Sequence, residues 1–194
     1  MKHAADLSRY VLMNTFEELK TQIDRLVVIV RSIGIKCALH EIDQDPNLNF
    51  WRLIYGSMLD IAVIEWCKVF GADNQPTHWK KIIANHQQFR SGLLSYLGKT
   101  EDVWCEYWES MKDYRNNHAA HHLGVKPGDI YPVLELALKS SFYYYSFLIK
   151  EVRGLGYACF PESLESYYND FYNQTIKVAK AALESTKKFE EHVF

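Results

Sequence analysis

The chain has 194 residues, a formal charge of −2, and 48% hydrophobic against 24% charged residues. That length and balance suit a single globular domain able to bury a core without disulfides or metals, and 14% aromatic content excludes a disordered chain. The near-neutral charge excludes a broad basic coat for nucleic acid, so any such contact has to be local.

Cys37, Cys67, Cys105 and Cys159 are far apart and form no C-x-x-C pair, which argues against a zinc or disulfide framework and for a reducing compartment. Cys67 and Cys105 lie in apolar stretches and are expected to act as small hydrophobes. The start, Met1-Lys2-His3-Ala4-Ala5-Asp6, has no apolar stretch like that of a secretory signal, and the apolar run Leu26–Val30 is too short for a bilayer. A cytoplasmic protein with no membrane partner is expected.

Apolar residues at three- and four-residue steps predict a helix from Asp6 to about Lys36, with Gly34 marking its frayed end. Pro46 interrupts the polar connector 41–47, after which Asn47 or Asn49 is expected to cap a second helix reaching Phe70 and closed by Gly71. That helix is apolar nearly all round, which places it in the middle of a bundle. Asp60 and Glu65 are its exceptions, so each must sit at the rim or be paired. Residues 72–77 read as a loop. Short helices follow around His78–His86 and Phe89–Leu97, the second ending at Gly98.

Thr100 has N-cap character, and Glu101 and Asp102 suit the first turn of the helix it opens. This helix is expected to run through Trp104, Trp108, Met111 and Arg115 towards Leu123, before Gly124 and Pro127-Gly128. A further long helix covers Tyr131 to about Arg153, and a last one roughly Glu162 to Glu191. No repeat and no strand-like alternation of useful length occurs. The reading is an all-α bundle of five to six helices forming one domain over residues 1–194.

The densest chemistry is Arg115-Asn116-Asn117-His118-Ala119-Ala120-His121-His122: one cation, two amides and three imidazoles within eight residues. Histidine exchanges protons near neutral pH, and arginine offers phosphate a fixed fork of donors. Together they suit phosphodiester chemistry, which needs a base, an acid and a charge stabiliser. On an ideal helix Arg115, His118 and His122 share a face while His121 points away. Unwinding near Gly124 would return it, so spacing leaves the choice between His121 and His122 open.

Plainer readings stand beside these. Arg115 would equally serve a surface ion pair with Asp113 or Asp102, and the histidines a polar helix end. His118 and His122, at i and i+4, have the spacing of two metal ligands, with Asp60, Glu65, His78 or His86 as a third. Phe142-Tyr143-Tyr144-Tyr145 and the Trp104/Trp108 pair read as core or a dimer seam before base-stacking platforms. Lys80-Lys81 beside Trp79 reads either as a phosphate contact or as a solvated face.

Arg115-Asn116 followed by Ala120-His121 resembles the R-x(4–6)-H signature of the HEPN superfamily. Glu65-Trp66-Cys67-Lys68-Val69-Phe70-Gly71, Thr77-His78-Trp79-Lys80-Lys81 and Trp108-Glu109-Ser110-Met111-Lys112-Asp113-Tyr114 look like the abortive-infection (AbiU-type) branch of that superfamily. The resemblance runs from about Ser57 to Tyr145, and more loosely to the end. It implies a helical homodimer that brings two motifs into one cleft and cuts RNA without a metal or other cofactor, within phage defence or beside an antitoxin or other partner protein. By that match Arg115 would hold the scissile phosphate, Asn116 would orient the arginine or the backbone, and His121 would transfer the proton, with His122 close behind. His118, Lys80 and Lys81 would contact substrate. His118 and His122 are additions to the family motif. A non-catalytic member that binds RNA, nucleotide or a partner protein is the alternative, and a metal-binding bundle using His118 and His122 the second alternative.

Overall fold

In the computed structural model, residues 2–119 and 131–189 are described, with side chains from Thr15 onward. Among them there is helix and no strand: α1 (Lys2–Ile42), α2 (Asn49–Phe70), a 3-10 turn (Trp79–Lys81), α3 (His86–Leu97), α4 (Glu101–Tyr114), a π turn (Arg115–Ala119), α5 (Glu135–Gly154) and α6 (Leu164–Thr186). The fold is an all-α bundle. No helix among the described residues is long and apolar enough to cross a membrane.

α1 is the spine, packing against α2, α5 and α6. Its apolar stripe, including Ile23, Leu26, Ile29, Val30 and Ile33, is fully buried or nearly so. It does not fray at Gly34. A Cβ there would stand 3.2 Å from the Phe171 ring, so the glycine lets α6 cross closely while α1 continues to Ile42.

α2 is less central than its composition suggests. Leu59, Ala62, Val63, Trp66, Cys67, Val69 and Phe70 are buried, whereas Phe50 and Leu53 near its start are 60% and 70% exposed. Its C-terminal half therefore lies in the core and its N-terminal half on the surface. Neither expected asparagine caps it: the N-cap is Leu48, with no side-chain capping bond. Asp60 and Glu65 are both paired. Tyr114 Oη donates to Asp60 Oδ1 at 2.8 Å, and Glu65 is held by Arg25 at 2.7 Å and by Lys68.

Trp66 is the hub of the aromatic core, with Phe70, Trp104 and Tyr107 within 6 Å of its ring centre. Its indole N–H donates to Ser140 Oγ at 3.0 Å, tying α2 to α5. Tyr144 and Tyr145 are buried as core, while Phe142 and Tyr143 are half-buried. Trp104 is buried and Trp108 half-buried, its indole donating to the Phe70 carbonyl at 2.7 Å. Cys67 is buried as expected, but Cys105 is exposed because it falls on the outer face of amphipathic α4.

Other boundaries also shift. Only Trp79–Lys81 is helical between His78 and Asn85, and Asn85 caps α3 through its side chain. α5 starts at Glu135 instead of Tyr131, and Pro132 disfavours helical backbone at Tyr131 itself. α6 spans Leu164–Thr186, capped by Ser163. Thr100 caps α4 as its sequence suggests, accepting from the Val103 N–H.

Candidate functional site

α4 ends at Tyr114, and the chain then widens into the π turn Arg115–Ala119. A π turn bonds i to i+5, so each following side chain is carried round the axis relative to an α-helix. The ideal-helix reckoning of which residues share a face therefore does not apply here. π turns within helices are rare and recur at functional sites.

Arg115 is half-buried against α2, and its charge reaches the buried Cys67 thiol. Burial lifts that thiol to about 11, with Arg115 and Lys112 opposing the rise. The ion pair expected with Asp113 or Asp102 is not formed; the Arg115 Nε is buried and meets no hydrogen-bond partner among the described residues. Packing against α2 has taken the side chain off the surface where those carboxylates lie. Asn116 and Asn117 are exposed, and His118 is half-buried with its ring 5.2 Å from that of Tyr114. His121 and His122 lie outside the described residues.

His118 lines a cleft of about 460 Å³ between the π turn, α1 and the surface half of α2. That volume lies within the roughly 300–1,000 Å³ usual for small-molecule sites. Lys36 and Arg52 bring positive charge to it, and Tyr55, Tyr114 and Tyr131 bring aromatic faces. Lys36 lies over the Tyr55 ring at 3.9 Å. Arg52 pairs with Asp45 at 3.1 Å, an exposed contact that an anion can displace at little cost. Tyr114 stays a hydrogen-bond donor, because burial and its bond to Asp60 hold its pKa well above the usual phenol range.

The structure does not bring Lys80 and Lys81 to this cleft. They follow the far end of α2, where Lys80 pairs with Asp73 at 2.6 Å and Lys81 is exposed. Sequence reading missed Lys36 of α1, Arg52 and Tyr55 one turn apart on α2, and Tyr131 before α5, which only the packing brings together. Gly56 was the one available signal, a glycine inside an otherwise strong helix. Among the described residues no group of three His, Cys, Asp or Glu side chains could hold a metal ion. Comparison with family models, curated proteins and solved structures returns no match to the chain.

Proposed function

We propose that the chain is a HEPN-type endoribonuclease that cuts RNA without a metal, through a site completed by a second copy, in phage defence or a toxin–antitoxin pair. The observation that carries the reading is the rare π turn Arg115–Ala119, which holds both the half-buried Arg115 and His118, the latter in the wall of a basic and aromatic cleft. A half-buried guanidinium presents a fixed fork of donors to an anion, and a phosphodiester is such an anion. The basic and aromatic cleft beside His118 suits single-stranded RNA, whose phosphates meet cations and whose bases stack on rings. The exposed apolar side chains Phe50 and Leu53 on the surface half of α2 favour a second copy.

In this reading Arg115 holds the scissile phosphate and offsets the charge that builds on it, with Asn116 orienting the turn. His121 takes the proton from the 2′-OH as that oxygen attacks phosphorus. The bond to the 5′-oxygen breaks as that oxygen takes a proton from water, leaving a 2′,3′-cyclic phosphate and a 5′-OH. Purified protein is expected to cleave RNA in EDTA and leave cyclic phosphate ends. Arg115→Ala and His121→Ala should each abolish cleavage, and full activity in both would sink the assignment. RNA that is retained but left whole by the wild-type chain would identify the non-catalytic module instead.

A further inference from the structure

The cleft beside His118 has a feature that phosphate binding does not use: a glycine floor with a carboxylate at its edge. Gly56 sits in the interior of α2, where glycine costs about 1 kcal/mol relative to alanine. Gly34 and Gly92 have reasons inside the chain, since a Cβ on either would press on an aromatic side chain. A Cβ on Gly56 would meet no described atom within 4 Å. The bare backbone there opens into the cleft. Helical glycine without an internal neighbour leaves room for close approach by something outside the chain.

One turn on from Gly56 is Asp60, half-buried on the same wall. Its Oδ1 accepts from Tyr114, which fixes the carboxylate in place and leaves most of its acceptor sites unused by the described residues. A fixed acceptor-only group selects a ligand edge that presents donors. Tyr131 lines the same cleft beside Tyr114, 50% exposed, its ring 5.9 Å from that of Tyr114. Lys36 and Arg52 supply positive charge to the same cleft.

We propose that this cleft is a base-reading subsite that takes a guanine nucleotide of the RNA. The base would lie flat over Gly56 and stack on Tyr131, and its phosphate would face Lys36 and Arg52. Guanine alone among the four bases presents two adjacent donors, N1–H and the N2 amino group, to a carboxylate on its Watson–Crick edge. Adenine and cytosine offer a single amino group beside an acceptor nitrogen, and uracil one N–H between two carbonyls. Those acceptors face Asp60 unfavourably. The proposal names the substrate preference of the ribonuclease reading and rests on that reading for the RNA. The binding itself is independent of cleavage.

The test titrates the purified full chain with GMP, AMP, CMP, UMP and inorganic phosphate by calorimetry. GMP should bind at least about tenfold tighter than the other nucleotides, the value of one charge-assisted hydrogen bond. Asp60→Asn, which keeps an acceptor for Tyr114 but presents an amide donor, should erase that preference. Gly56→Leu, which adds a good helix former into open space, should abolish nucleotide binding with the helical circular dichroism intact. Equal binding of all four nucleotides, or an unchanged guanine preference in Asp60→Asn, overturns the subsite. Selective GMP binding by a chain that leaves RNA whole keeps the subsite and overturns the ribonuclease. Cleavage without bias for guanine does the reverse.

Discussion

His78 is 1% exposed, wedged between Trp79 and the loop that carries Asp73. Its Nδ1 accepts the Lys80 backbone N–H at 3.3 Å, so the ring proton is on Nε2, 3.4 Å from Asp73 Oδ1. Burial lowers its pKa from 6.5 to about 4, against the pull of Asp73 and with the push of Lys80, Arg90 and Lys81. Between those two values the unfolded chain binds a proton that the folded chain refuses, so stability falls as the pH falls. Acidification from pH 7 to 4.5 should cost about 2 kcal/mol through this residue. Urea unfolding of wild type and His78→Gln at both pH values checks this, and an equal pH slope in the two proteins contradicts it. The same burial explains why His78 was a poor candidate metal ligand: its two nitrogens are already committed to capping and to Asp73.

At the scale of the element, two glycines in helices should respond to alanine with opposite signs. Gly56→Ala should raise stability by about 0.5–1 kcal/mol, since it gains helix propensity and meets nothing described. Gly92→Ala places a Cβ 2.1 Å from the Tyr143 hydroxyl, and that ring is braced by Phe89 and Phe147. The clash should outweigh the propensity gain and cost about 1–2 kcal/mol. Denaturant midpoints of the two variants read the difference directly, and a shared sign would show that propensity alone governs both. The π turn belongs to this scale too. Tyr114 at the end of α4 is buried and bonded to Asp60, and Arg115 is drawn against α2, so the backbone widens where two neighbouring side chains are both committed to α2.

Across the whole molecule, Trp66 joins α2 to α4 through rings and to α5 through its bond to Ser140. Trp66→Ala removes one of the two largest fully buried side chains among the described residues and should cost about 3–5 kcal/mol. Near-ultraviolet circular dichroism and the urea midpoint should both move. A variant that keeps the wild-type midpoint would show that α2, α4 and α5 hold together without it.

Much of this bundle was legible in the order of residues. The three- and four-residue apolar spacing announces α1, α5 and α6, because an amphipathic helix must bury its stripe, and a continuous apolar run announces α2. Thr100 and Gly98 are local devices at α4 and α3 that need no tertiary partner, and both act as their types suggest. Gly34 misled, since its role is to admit Phe171, a residue 137 positions away. The apolar face of α2 also misled, since its start is left uncovered.

For the site, the sequence by itself determined the concentration of arginine, amide and imidazole at 115–122, and with it the class of chemistry worth testing. The tertiary structure alone decided that Arg115 turns inward and leaves its Nε without a partner among the described residues. It alone set His118 beside Lys36, Arg52, Gly56 and Asp60. The reason is physical. Local spacing encodes which face of a helix is apolar, but what a polar side chain meets depends on which helix crosses it, and that is settled only when the core packs.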